Sequence, residues 1–206
     1  GVGPSFARKL EGAGLKTVGD VQTMDMREMI GRYGETGLWL HQRANGIDTR
    51  AVTPESERKS VSAERTFDKD ISDPALLLDR LWLVCEETAE RAKRHGIEGM
   101  TITLKLKTKQ FRSLTRSVSL SSGTQLAQTL FRTAKPLLLR ETERGQAYRL
   151  IGIGLSHLQG AKGDERDLID PRIEKRAKAE RASDVARGKF GRSSVMTGRE
   201  IRAKSE

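Results

Sequence analysis

The chain has 206 residues, of which 38 are Lys or Arg and 28 are Asp or Glu, for a formal net charge of +10. Its hydrophobic fraction of 35% is low for one compact core but sufficient for one or two small domains with polar connections. No apolar run reaches the roughly 18 residues of a membrane-spanning helix. The single cysteine, Cys85, excludes an internal disulfide and points to a reducing cytosol.

The chain opens at Gly1-Val2-Gly3 with no initiator Met, which points to removal of something upstream. Residues 1–52 read as short helices. Pro4 suits the first turn of a helix running to about Glu11, where its missing N–H is not needed. Gly12 and Gly14 end that helix, and Thr17 or Asp20 caps the next. A third follows Gly34, carries Leu38, Leu40 and Ala44, and stops at Gly46. Residues 53–57 are polar, hold Pro54 and read as a linker.

Residues 58–157 change texture. A strand over 59–67 precedes Asp73-Pro74, which starts a helix with Leu77, Leu78, Leu81, Cys85, Ala89 and Ala92 at helical spacing. Cys85 fits there as a small buried hydrophobe. Gly96 ends the helix. Met100, Ile102, Leu104 and Leu106 then alternate with Thr101, Thr103, Lys105 and Lys107, a half-buried strand with a wet, basic second face. Gln110-Phe111 allows a turn into a strand over 113–120. A second amphipathic helix spans 124–139, and the last strand spans 148–155. The order β-α-β-β-α-β places both helices on one sheet face, as in a ferredoxin-like sandwich, and leaves the other face open. The fold class is α+β, with a small all-α unit ahead of the sandwich. Residues 158–206 are a charged, basic tail, expected to be partly disordered or helical, with a thin apolar stripe and a break at Gly188 to Arg192.

A basic surplus attracts phosphates and gains free energy by releasing their counterions. A merely soluble basic protein has the same composition, and a membrane surface attracts it too. Two places make phosphate contact concrete. Gly1 and Gly3 let the backbone approach a ligand, and the helix behind them offers free N–H groups, with Lys9 close by. An ordinary turn has the same pattern. The open sheet face offers Lys105 and Lys107, with Arg112, Thr115 and Arg116 in or beside the next strand and Lys59, Ser60 and Arg65 on the first. A solvated face with solubility charges is the plain alternative. Arg116 shares the parity of Leu114, Val118 and Leu120, so it falls on the apolar side unless the strand bulges, ends or breaks there.

No catalytic constellation emerges. Acids such as Asp79, Glu86, Glu87 and Glu90 read as solvated helix faces, and His41, His95 and His157 lack metal spacing. Aromatics are 4%, and no strand carries the paired rings of an RNA-stacking sheet. Backbone contact is therefore favoured over base readout.

Several motifs in series carry a family resemblance. Gly1-Val2-Gly3-Pro4 through Asp20-Val21, then Tyr33-Gly34-Glu35-Thr36-Gly37 and Arg43-Ala44-Asn45-Gly46-Ile47-Asp48, resemble a helix-hairpin-helix thumb. Arg58-Lys59-Ser60-Val61-Ser62-Ala63-Glu64-Arg65-Thr66-Phe67, Leu104-Lys105-Leu106-Lys107, Leu114-Thr115-Arg116-Ser117 and Arg149-Leu150-Ile151-Gly152-Ile153-Gly154-Leu155 resemble strands of a little finger domain. Together they are similar to the C-terminal half of bacterial Y-family DNA polymerases of the DNA polymerase IV type. The resemblance implies a thumb over 1–52 and a little finger over 58–157. It implies translesion synthesis by a parent enzyme that uses magnesium in a palm not found in these residues. It further implies duplex primer–template DNA as partner, no catalytic or metal-binding residue here, and a cytoplasmic, nucleoid-associated location. Many relatives carry a sliding-clamp peptide, Gln-Leu-Asp-Leu-Phe, in the tail. Here Glu165-Arg166-Asp167-Leu168-Ile169 stands in that place without the glutamine or the aromatic, leaving Leu168 and Ile169 as clamp contacts or as plain loop. The rival functions are a catalytically inactive adaptor that binds the clamp or a partner polymerase, and an unrelated RNA-binding module.

Overall fold

Gly3, Thr17, Asp25 and Gly34 each stand directly before a helix, and the four that follow are α1 (Pro4–Gly12), α2 (Val18–Thr23), α3 (Met26–Tyr33) and α4 (Glu35–Ala44). The computed structural model describes residues 2–51, 58–143, 145–162 and 172–204 of a chain that divides into two compact units, Gly1–Ser56 and Glu57–Glu206. In the first unit Pro4 occupies the opening helical turn. Thr17 caps α2: its Oγ1 accepts from Asp20 N–H at 3.2 Å, and Asp20 Oδ2 accepts from Thr17 N–H at 2.8 Å. That exchange satisfies two backbone donors that the helix itself leaves unpaired. α3 goes beyond the three helices that spacing predicts. Asp25 Oδ2 starts it by accepting from Arg27 and Glu28 N–H, and Met29 anchors it in a small core with Leu10, Leu15 and Val21. Gly37 lets α4 lie against α3, because a Cβ there would sit 2.1 Å from the Met29 carbonyl oxygen.

The second unit runs β1 (Ser60–Ile71), α5 (Pro74–Arg94), β2 (Ile97–Thr108), β3 (Ser113–Thr124), α6 (Ala127–Thr142) and β4 (Tyr148–Gly160). The sheet order is β1-β4-β2-β3, with every neighbouring pair antiparallel. β1 and β2 therefore run the same way with β4 between them, the split β-α-β arrangement of an α+β sandwich. Asp73 caps α5 by accepting from Ala75 N–H at 2.9 Å. Leu77, Leu81, Val84, Cys85, Ala89 and Ala92 of α5 pack with Leu130, Ala134 and Leu138 of α6 on Ile102, Leu104, Leu106, Ile151, Ile153 and Leu155. Each such leucine or isoleucine contributes about 1.5–3 kcal/mol by leaving water. Burial pushes the Cys85 thiol well above its ordinary range, so it acts as a small hydrophobe. Among the described residues no helix is long and apolar enough to cross a membrane.

Two boundaries of the sequence reading change around the tail. β4 continues to Gly160, beyond the expected end at 155. Residues 172–204 are helical and packed, forming α7 (Arg172–Phe190) and α8 (Gly198–Lys204). Gly188 lies inside α7, and the break comes at Gly191, where φ is 91°. The thin apolar stripe is enough because polar contacts do the rest. Ala177 and Ala203 are buried at 0% and 3% exposure. Lys93 Nζ meets Glu180 at 2.6 Å, Arg187 meets Glu200 at 2.7 Å and Glu86 at 3.3 Å, and Trp82 Nε1 donates to Thr197 Oγ1 at 2.8 Å. Arg199 and Arg202 both bind Asp79, at 2.7 and 2.9 Å. Asp79 and Glu86 are thus buried and not the solvated acids that their helical position predicts. The hydrogen bond from Arg202, against the cost of burial, holds Asp79 below the usual carboxylate range. Burial first, and the nearby Glu200 second, push Glu86 up to about 7 against the pull of Arg187. Leu168 and Ile169, like residues 53–57 of the expected linker, lie outside the described residues.

Candidate nucleic-acid interface

Strand parity and register together decide which side chains share the open face. Ile102, Leu104 and Leu106 point to the helices, so Thr101, Thr103, Lys105 and Lys107 point away. The register places Ser119, Ser117, Thr115 and Ser113 of β3 beside those four. On the other flank Ser156, Gly154, Gly152 and Leu150 of β4 follow, and then Ser60, Ser62, Glu64 and Thr66 of β1. The open face is thus rich in hydroxyls, with Lys105 and Lys107 on a central strand and a glycine-floored stretch beside it. Thr103 and Ser117 hydroxyls meet at 2.8 Å, and Thr101 and Ser119 at 3.1 Å.

Gly152 shapes the middle of this face. A Cβ there would lie 2.8 Å from Glu64 Cβ and 3.1 Å from the Ala63 carbonyl. Across that gap Lys105 Nζ reaches Glu64 Oε2 at 2.6 Å, with both side chains about half exposed. The spacing of charges along single strands cannot reveal this pair, since the partners lie 41 residues apart.

Two expected members belong to the other side. Arg65 faces the helices and meets Glu87 of α5 at 3.4 Å. Arg116 pairs in register with the buried Leu104 and meets Glu141 of α6 at 2.8 Å. Its parity with Leu114 and Val118 is real, and the ladder continues through it without a bulge. A carboxylate supplied by α6 makes an arginine acceptable there.

Lys107, Thr115 and Ser60 remain on the open face, and Lys59 is exposed just before β1. Arg112 is exposed in the turn between β2 and β3. Lys107 and Arg112, with the neighbouring Lys109 and Arg149, form a cationic corner at one end of the sheet. Lys109 N–H donates to the Ala147 carbonyl at 3.1 Å, which holds this turn beside the start of β4. Among the described residues none of these four cations pairs with a carboxylate, unlike Lys105, Arg65 and Arg116. In the first unit Gly3 stands before α1 in open space, its carbonyl accepting from Ala7 N–H at 2.9 Å, and Lys9 lies over the Tyr33 ring at 5.3 Å. Gly1 lies outside the described residues. Among the described residues no group of three or more His, Cys, Asp or Glu is placed to hold a metal ion.

Comparison with known proteins gives this geometry a context. The chain is 42% identical over 204 residues to a DNA polymerase IV of Caulobacter vibrioides, covering 99% of this chain and 50% of that protein. It is 44% identical over 199 residues to DNA polymerase IV 1 of Mesorhizobium japonicum, covering 96% and 45%. The chain thus spans about half the length of the curated relatives it matches. Among solved structures, a Y-family DNA polymerase chimera of Dbh and Dpo4 superposes with a TM-score of 0.55 at 20% identity, over 76% of this chain and 45% of that one, a likeness of fold. Residues 58–168 match the impB/mucB/samB family C-terminal domain, which is more than half of the chain, and the protein therefore belongs to that family.

Proposed function

We propose that this chain is the DNA-gripping part of a translesion polymerase, holding primer–template duplex through backbone phosphates. The observation that carries this reading is the open sheet face: hydroxyls on all four of its strands, lysines on a central one, and the carboxylate-free cations Lys107, Lys109, Arg112 and Arg149 at one end. Hydroxyls and cations suit phosphate oxygens, and neither reads sequence. Gly3 at the start of α1 offers a second, backbone N–H contact, with Lys9 one to two turns on. Magnesium-dependent nucleotide transfer falls to the half of such a polymerase that these residues do not match.

Duplex binding measured by fluorescence anisotropy across a salt series tests the assignment. Lys105→Ala, Lys107→Ala and Arg112→Ala each lower the slope of log affinity against log salt by about one. Arg65→Ala and Arg116→Ala, on the helix side, leave the slope unchanged. Equal effects from both groups would mean that the open face is not the interface.

A further inference from the structure

Phe111 stands out in the turn between β2 and β3. Thr108 N–H donates to the Arg112 carbonyl and Phe111 N–H to the Thr108 carbonyl, both at 2.9 Å, which defines a three-residue hairpin loop of Lys109, Gln110 and Phe111. The last position of such a loop is left-handed and normally falls to glycine. Phe111 occupies it with φ at 64°. A bulky aromatic is strained there, at a cost of about 1–2 kcal/mol. Burial does not offset that strain, since the residue is 61% exposed. What the ring does have is cations: the Arg149 guanidinium lies over it, 3.9 Å from its centroid, and Lys107 Nζ lies 5.5 Å away. Residues held in such strained conformations cluster at ligand-binding and switch positions.

We infer that Phe111 is a stacking platform for an unpaired nucleobase, taken from a single-stranded extension of the bound duplex. The inference rests on the DNA-gripping reading and adds to it a contact that phosphates cannot make. A nucleobase has an apolar, polarisable face that an exposed phenyl ring matches, and such stacking tolerates any base. Arg149 fixes the ring by a cation–π contact, so less side-chain entropy is lost when the base arrives. Lys107 lies beside the ring, and Lys109 and Arg112 stand in the same turn, so cations are at hand for the phosphates on either side of that base. The sheet face then holds paired DNA, and the hairpin end holds the first unpaired nucleotide.

The test uses the full chain and three labelled DNAs: a blunt duplex, the same duplex with a four-nucleotide overhang, and the same overhang built from abasic nucleotides. The wild type binds the base-bearing overhang about tenfold more tightly than the abasic one. Phe111→Gly removes the ring and relieves the left-handed strain, so thermal stability is kept or raised while the two overhangs become equal. Phe111→Trp retains the preference. Blunt-duplex affinity is unchanged in both variants, which separates this contact from the phosphate grip. A wild type that does not distinguish the overhangs overturns the inference. So does a Phe111→Gly variant that loses stability and keeps the preference, since the ring would then be structural. Loss of blunt-duplex binding on Lys107→Ala alongside either result would leave the phosphate reading standing.

Discussion

Beyond the helix layer, Arg187 sits between Glu86 and Glu200 with the three side chains 15%, 8% and 3% exposed; on the open sheet face Lys105 meets Glu64 with side chains 43% and 50% exposed. Both are pairings of a cation with carboxylate, and their surroundings make them opposites. The first is shielded from water, so breaking it leaves charge with nowhere to go. The second is solvated and exchanges a partner at little cost. A basic chain of this kind thus uses one group of charges to hold its own tail and keeps another available for a ligand.

The largest expected effect breaks the buried side of that contrast. Above about pH 8, where Glu86 is ionised, Arg187→Ala leaves Glu86 and Glu200 facing each other without a counter-charge, and should lower unfolding free energy by about 3–5 kcal/mol. Urea denaturation measures it, and a change below about 1 kcal/mol would place this cluster with the solvated pairs. A smaller effect appears with pH. Glu86 holds its proton more tightly folded, with a pKa raised to about 7, than unfolded, at about 4.3. Its contribution is complete below the unfolded pKa and is lost as the pH rises through about 7. Stability of the wild type therefore falls between about pH 4 and pH 7, and Glu86→Gln flattens that fall. Parallel pH profiles for the two proteins would show that Glu86 is ionised throughout. The smallest effect belongs to the open face. Glu64→Gln frees Lys105 and removes a negative charge from the proposed DNA-binding face, so duplex affinity rises by about twofold to fivefold with stability almost unchanged. Weaker binding would instead make Glu64 the residue that positions Lys105.

Much of the second unit is legible along the chain. The alternation in β2 reports which of its residues meet the helices, because side chains of a strand alternate in direction whatever lies opposite. Asp73-Pro74 and Gly96 bracket α5 for local reasons as well: a cap, a residue needing no N–H, and a left-handed exit. Arg116 shows where local reading stops. Its parity puts it on the helix side, but only Glu141 of α6 explains why a charge is acceptable there. α3 is missed because its inward-facing anchor, Met29, is a single residue in a short polar helix. Phe111 reads from sequence as part of a turn; its left-handed φ comes from the three-residue loop joining β2 and β3, and its stacked arginine from β4 lying alongside.

The linear order of residues determines the strands, the helices with a clear apolar stripe or cap, and the β-α-β-β-α-β succession, since each depends on neighbours within a few positions. Tertiary structure decides which charges are free. Arg187 reaches Glu86 across 101 residues and Arg202 reaches Asp79 across 123, so two acids that look solvated on α5 become buried anchors for α7 and α8. Lys105 and Glu64 are brought together by strand order, over a glycine whose missing side chain leaves room. A residue's charge is written in the chain, but the dielectric around it and the partner opposite are set only when distant segments pack.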